Sequence, residues 1–178
     1  MTRTVSVYGG GSPKPGEPAY QQAYELGKLL AEAGYIVMTG GYSGTMEATS
    51  RGAKEAGGYV IGVTVGLFER AGLSPNPYID EIIQYDELSE RLLHVVKRGD
   101  AAIALPGGIG TLSEVALTWS LLQTGEISPR PFILLGEQWA DLLHTLYGWG
   151  AYIRDTDMSL WQIARTPEQA VTLLRNWE

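Results

Sequence analysis

Glu114 stands three residues after Thr111, where a run of glycines, Pro106-Gly107-Gly108-Ile109-Gly110-Thr111, feeds a helix. A carboxylate so placed is a candidate acid–base group. It also fits a purely structural role. Thr111-Leu112-Ser113-Glu114 has the spacing of a capping box, in which the glutamate reaches back to the cap N–H. Arg91 brings a planar fork that suits a carboxylate or a phosphate. Its plain alternative is a surface i,i+4 pair with Glu87, worth roughly 0.3 kcal/mol. Taken singly, each residue reads as structural.

The glycines around them form three clusters. Gly9-Gly10-Gly11-Ser12 follows a first β-branched run, Gly40-Gly41-Tyr42-Ser43-Gly44-Thr45 a second, and Pro106–Thr111 a fully apolar one. Each falls at a strand's carboxyl end, the edge at which open α/β sheets bind ligands. Glycine there admits a ligand close to the backbone, and the following helix aims free N–H groups and its positive dipole end at an anion. One such turn merely closes a strand–helix connection, but three at one sheet edge point to a nucleotide or sugar-phosphate site. The predicted binding residues are Gly10, Gly11, Ser12, Gly40, Gly41, Gly44, Thr45, Pro106, Gly107, Gly108, Gly110 and Thr111. A P-loop is excluded, because no Gly-x-x-x-x-Gly-Lys-Ser/Thr run exists. NAD is disfavoured. Lys14 replaces the third fingerprint glycine, and the second strand ends in Thr39-Gly40-Gly41 without the ribose-binding acid.

The elements that hold these turns alternate regularly. Strands are predicted over Thr4–Tyr8 and residues 35–38, 59–65, 82–85, 101–105, Phe132–Leu135 and 159–164. Helices fall over 19–33, 45–56, 88–97, 112–123, 139–146 and from Thr166-Pro167-Glu168 onward, with residues 66–80 a long loop. Such alternation implies a single doubly wound, Rossmann-like α/β domain over residues 1–178, with a parallel sheet covered by helices on both faces.

Composition narrows the function classes. The 178 residues include no cysteine, which rules out disulfides, Cys-based zinc sites, iron–sulfur clusters and thiol catalysis. Thirteen Lys+Arg against 20 Asp+Glu leave a formal charge of −7, poorly suited to a nucleic-acid polymer but compatible with one small phosphate. No stretch approaches the roughly 18–20 apolar residues of a membrane span, and the first residues carry no signal-like run. A cytoplasmic protein with no membrane partner is expected. Two isolated histidines, His94 and His144, make no metal site, and no cofactor is expected.

The combination of motifs resembles the LONELY GUY family, long labelled "possible lysine decarboxylase" and related to molybdenum-cofactor carrier proteins. Its PGGxGTxxE hallmark is matched by Pro106–Glu114, PGGIGTLSE, and its arginine fifteen residues before the motif's proline by Arg91. Residues 40–58, GGYSGTMEATSRGAKEAGG, look like its second glycine segment. There are departures. The MHxRK pattern is replaced by Leu88-Ser89-Glu90-Arg91-Leu92, and Met46-Glu47-Ala48 looks more like the carrier branch. The resemblance implies hydrolysis of the N-glycosidic bond of a nucleoside 5′-monophosphate, releasing free base and ribose 5-phosphate. Glu114 and Arg91 would then be catalytic, with Glu114 stabilising oxocarbenium character and the phosphate lying on Gly108, Gly110 and Thr111. Glu47 is the one further carboxylate suggested near the site. The alternative is a non-catalytic carrier of molybdenum cofactor or another phosphorylated small molecule. A pyridoxal-phosphate decarboxylase would need a desolvated lysine, and Lys14, Lys28, Lys54 and Lys97 lie on solvated helix faces or in a loop. Tyr42, Phe68 and Tyr78 are candidates for stacking on a base, and Trp119, Trp139, Trp149, Trp161 and Trp177 for core or subunit contacts. The resemblance further implies a homodimer or higher even oligomer.

Overall fold

The computed structural model describes residues 2–150 and 152–177. Among the described residues seven strands form, the central ones from short buried apolar runs and the edge strands β4 and β7 more exposed: β1 (Thr4–Tyr8), β2 (Ile36–Thr39), β3 (Val60–Val65), β4 (Glu81–Tyr85), β5 (Ala101–Ala104), β6 (Phe132–Leu135) and β7 (Gln162–Ala164). They make one wholly parallel sheet in the order β4-β3-β2-β1-β5-β6-β7. The chain winds outward from β1 to β4, returns to β5 beside β1, and winds outward again on the other side. The order therefore reverses between β1 and β5, and the turns leaving those two strands flank the switch point where such sheets take ligands.

Among the described residues seven helices connect the strands and an eighth follows β7: α1 (Pro18–Glu32), α2 (Thr45–Glu55), α3 (Gly66–Arg70), α4 (Leu88–Arg98), α5 (Ile109–Thr124), α6 (Glu137–Tyr147), α7 (Asp155–Met158) and α8 (Pro167–Asn176). One core, with Val5, Val7, Leu26, Leu30, Ile103 and Leu174, lies under α1, α2 and α8. The other, with Tyr8, Val63, Val95, Val115, Leu134 and Trp139, lies under α4, α5 and α6. Two covered faces explain why β1, β5 and β6 are almost uniformly buried instead of alternating. No helix among the described residues is long and apolar enough to cross a membrane.

Three boundaries depart from the sequence reading. The expected loop over 66–80 begins with a short helix, α3. Residues 155–158 form α7, and the last strand shrinks to Gln162–Ala164. The third departure matters most. Helix α5 opens at Ile109 with Gly108 as its N-cap, so Glu114 lies inside the helix. The capping box that was the structural alternative for Thr111–Glu114 does not form, and no side chain caps this end. The expected cap at Thr166 does form, its hydroxyl accepting the Gln169 N–H at 3.2 Å.

Helices α1 and α2 pack against each other through two mid-helix glycines. A Cβ on Gly27 would collide with the Thr49 carbonyl, and one on Gly52 with that of Tyr24. Replacing a mid-helix glycine with alanine normally stabilises by about 1 kcal/mol. Here contact with rigid backbone reverses the sign. Gly27→Ala should lower unfolding free energy by roughly 1–3 kcal/mol in a urea titration; an unchanged or higher midpoint would refute the close-packing argument.

Candidate active site

The three glycine turns are docked on one another before they can meet any ligand. The Gly10 N–H donates to the Pro106 carbonyl at 3.3 Å, joining the turns after β1 and β5. The Gly10 carbonyl accepts both the Thr45 N–H at 2.9 Å and the Thr45 hydroxyl at 3.0 Å, joining the turn after β2. Gly44 sits at φ +73° with its α-carbon against the Gly10–Gly11 backbone, where a side chain would be both strained and obstructed. Gly107 is pressed between Gly10 and the Thr111 side chain. By contrast, a Cβ on Gly108 or Gly110 would meet nothing within 4 Å. The glycines therefore divide into those that let backbones touch and those that face open space.

The open pair belongs to the first turn of α5. Leu112 is the first residue to close a helical bond, onto the Gly108 carbonyl at 3.0 Å. The preceding N–H groups lack helical acceptors, so the positive end of a 16-residue helix faces the cleft. The expectation of equivalent helix ends after all three turns is not met. Helix α1 starts only at Pro18, well past Ser12 and without an N–H at its first position, and α2 is already occupied at Thr45 by the Gly10 carbonyl.

Arg91 and Glu114 meet beside this helix end. Arg91 is 7% exposed; its Nε donates to the Val63 carbonyl at 2.8 Å and its Nη2 to the Gly40 carbonyl at 3.1 Å. Gly40 leaves the necessary room, since a Cβ there would run into Nη2. The remaining nitrogen, Nη1, stands 3.8 Å from Glu114 Oε1. The surface pair with Glu87 is therefore absent. Arg91 lies on the face of α4 that packs onto β3, and only its helical N–H contacts the Glu87 carbonyl. Burial pushes the guanidinium downward against the opposing charge of Glu114. Glu114, also 7% exposed, is pushed up to about 7 by desolvation, with the charge of Arg91 holding it back. No described side chain donates a hydrogen bond to its carboxylate. It is a buried acid poised near neutrality, held by one long ion pair.

A cleft of about 400 Å³ opens in front of this pair. Gly10, Gly11, Ser12, Gly108, Gly110 and Thr111 line one part of it, with Arg91 and Glu114. Gly40, Gly41, Gly44, Thr45, Pro106 and Gly107 do not line it and stand behind as scaffold. Gly41, at φ +82°, is buried, its carbonyl taking the Asn76 N–H at 2.9 Å. The predicted binding residues omitted Gly9, Ser43, Met46, Leu73 and Leu88, which also line the cleft. Met46 was discoverable as a first-turn residue of α2, but Leu73 carries no local signal. Tyr42 and Phe68 also line the cleft, edge to face at 5.5 Å. The Tyr42 hydroxyl is committed to β3, accepting from the Val65 N–H at 2.8 Å and donating to its carbonyl at 3.0 Å. Tyr78 instead packs against Arg51, outside the cleft.

Other candidates lie elsewhere. Glu47 accepts the Tyr20 hydroxyl at 3.1 Å and does not line the cleft, leaving Glu114 as its one carboxylate. His94 bonds the Tyr85 hydroxyl at 2.7 Å, and His144 is exposed against Trp161. None of the four lysines enters the cleft. Lys28 pairs with Glu25 and Glu32, Lys54 with Asp80 and Lys97 with Glu126, while Lys14 is exposed. Schiff-base chemistry has no amine in this cleft.

Comparison with known proteins follows the same two branches. At 36% identity over 118 residues, the chain is similar to a cytokinin riboside 5′-monophosphate phosphoribohydrolase of Mycobacterium tuberculosis, matching 66% of this chain and 62% of that protein. It is 37% identical over 124 residues to the rice (Oryza sativa subsp. japonica) cytokinin riboside 5′-monophosphate phosphoribohydrolase LOG, covering 67% and 50%. The chain thus matches about half to two thirds of the length of these curated relatives. Among solved structures it resembles the molybdenum cofactor binding protein of Rippkaea orientalis, with a TM-score of 0.78 and 29% identity over 99% of this chain and 98% of that one. The molybdenum cofactor carrier protein of Chlamydomonas reinhardtii gives a TM-score of 0.77 and 27% identity over the same shares. The family model that matches spans residues 2–127, from before β1 to just past the end of α5, and so takes in every residue of the cleft. By that match the chain belongs to the SLOG cluster4 family.

Proposed function

We propose that the protein hydrolyses the N-glycosidic bond of a nucleoside 5′-monophosphate to free base and ribose 5-phosphate. The observation that carries this reading is the buried Arg91–Glu114 pair set beside the open N-terminus of α5. The phosphate would lie on the free N–H groups of the α5 first turn and the Thr111 hydroxyl. That placement brings the ribose toward Glu114. As the C1′–N bond breaks, its electron pair leaves with the base and positive charge builds on the ring. A carboxylate in a poorly solvated cleft stabilises that charge strongly. Water then bonds to C1′, giving its proton to Glu114, and the base nitrogen takes a proton from solvent. Arg91 positions Glu114 and keeps enough of it ionised to act. The relatives named as phosphoribohydrolases support the same chemistry.

A carrier of molybdenum cofactor or another phosphorylated small molecule is the second reading. It is favoured by the solved carrier structures, whose match extends over nearly both whole chains. The helix-end anion site would serve either ligand. Glu114 separates the readings, because carriage of a phosphorylated ligand needs no carboxylate with a proton affinity near neutrality.

We also infer a homodimer built on the α5–α6 face. Leu112, Ala116 and Trp119 of α5 and Leu142 and Leu146 of α6 line an apolar groove of about 230 Å³. Trp149, 70% exposed, stands at its side. A protruding indole and a groove on one patch offer the knob and hole that two-fold pairing repeats on both copies.

Purified protein incubated with nucleoside 5′-monophosphates should release free base, while the matching nucleosides should not. Below about pH 7, kcat/KM should climb with pH as Glu114 ionises, then level off. Glu114→Gln should lose roughly 10²–10⁴-fold of this rate while remaining folded. Arg91→Gln should move the rising limb to higher pH, because the charge that holds the carboxyl down is gone. A profile that falls through pH 7 would make Glu114 a proton donor instead. Base release unaffected by Glu114→Gln would remove it from the chemistry.

Sedimentation should give a dimer for the wild type and a monomer for Leu142→Glu. A wild-type monomer at tens of micromolar would rule this interface out.

A further inference from the structure

The sheet order spreads the cleft's parts along one edge. The α5 helix end follows β5, the Gly9–Ser12 turn follows β1, and α3 and the segment after it follow β3. Three strand spacings of ~4.8 Å put the β3 end ~14 Å from the β5 end. Arg91 and Glu114 meet between them, since Arg91 is anchored on carbonyls of β3 and of the turn after β2. The two ends of this span differ in chemistry. Backbone N–H groups, Ser12 and Thr111 occupy the β5 and β1 side. Phe68, Leu73 and Leu88 occupy the β3 and β4 side, with Met46 of α2 between the two sides; of the hydroxyls on the turn after β2, that of Tyr42 is consumed by Val65 and that of Ser43 donates to the Gly11 carbonyl at 3.2 Å.

We propose that Phe68 and Leu73, carried on the segment between β3 and β4, are specificity-determining residues that hold the leaving base by its faces and do not read its hydrogen-bonding edge. This rests on the nucleotide reading above and adds to it the rule by which a base is accepted. Side-chain donors and acceptors are what allow a site to reject a wrong base edge by large factors, because an unmet buried polar group is costly. A wall of Phe, Leu and Met lacks them and rewards only the aromatic area it covers. The segment is built to hold this wall in place. The Leu73 N–H bonds the Phe68 carbonyl at 3.0 Å. Buried Asn76 then pins the segment to the β2 turn, its N–H on the Gly41 carbonyl at 2.9 Å and its Nδ2 on that of Tyr42 at 3.1 Å. Leu73 itself is 44% exposed, so it contributes little to stability and is free to meet a ligand.

The test is calorimetric titration of Glu114→Gln protein, which holds nucleotides without consuming them, with ribose 5-phosphate, AMP, GMP and CMP. AMP and GMP, whose edges carry opposite donor and acceptor patterns, should bind within about threefold of each other. Both should bind about tenfold more tightly than ribose 5-phosphate, with CMP between. Adding Phe68→Ala or Leu73→Asn should erase most of that gain and leave ribose 5-phosphate affinity unchanged. A tenfold preference between AMP and GMP would overturn the proposal, as would a gain that survives both substitutions. If these binding results hold but wild-type protein releases no base, the hydrolase reading falls and the base-holding role stands. If no nucleotide binds more tightly than ribose 5-phosphate, the base-holding role falls alone wherever base release is still seen.

Discussion

A guanidinium buried beneath a sheet edge must be compensated from every direction, and Arg91 is compensated by three separate parts of the chain. Its Nε and Nη2 take carbonyls from β3 and from the turn after β2, and its Nη1 faces Glu114 on α5. Moving an ion out of water costs several kcal/mol even after relaxation, so none of these partners can drift without exposing that cost. The constraint propagates outward. Gly40 must be glycine to admit the guanidinium, and α4 must seat on β3. Helix α5 must then begin early enough to bring Glu114 opposite Arg91. The charge thus fixes the relative placement of one strand, one turn and two helices.

The Gly10 backbone does the corresponding work for the neutral part of the cleft. Its N–H and carbonyl are spent on Pro106 and Thr45, so the three turns form one rigid floor. That leaves the first turn of α5 as the surface with unspent donors. Donors presented this way are preorganised for an anion, since N–H groups held by helix geometry need no side chain to swing into position.

The architecture was legible in the sequence because both faces of the sheet are covered. Runs such as Ala101–Ala104 and Phe132–Leu135 then need no alternation, and the glycines at their ends mark the ligand edge. The two central residues of the candidate site were legible through the PGGIGTLSE motif and its spacing from Arg91, but their environment was not. Glu87 is the acid at i,i+4 spacing from Arg91 along the chain, while Glu114 becomes its partner only after β5 has been inserted between α4 and α5. The start of α5 was misplaced because Gly108 and Gly110 are poor helix formers, and local propensity yields here to a turn that leaves its N–H groups free. The same letters concealed two kinds of glycine. Gly107 and Gly44 are needed for contact between backbones, whereas Gly108 and Gly110 border open space, and only the fold distinguishes them. Leu73 was invisible because it owes its place to Asn76 and Phe68, not to any periodicity.

What separates a catalytic carboxylate from a structural one is how completely it is satisfied. A glutamate held by a bidentate arginine and two or three N–H groups is fully ionised, and its lone pairs are already spoken for. Glu114 is in the opposite condition. One guanidinium nitrogen at 3.8 Å offsets part of its desolvation, no described side chain donates to it, and its proton affinity rises to about 7. An under-neutralised carboxylate of this kind gains most from a positive charge that appears transiently in front of it, because the solvent that would screen that charge is largely excluded. A ligand that stayed intact would offer no such gain. The long Arg91–Glu114 contact, which would count as a weak ion pair if stability were its purpose, is in this sense the feature that most favours bond cleavage over carriage.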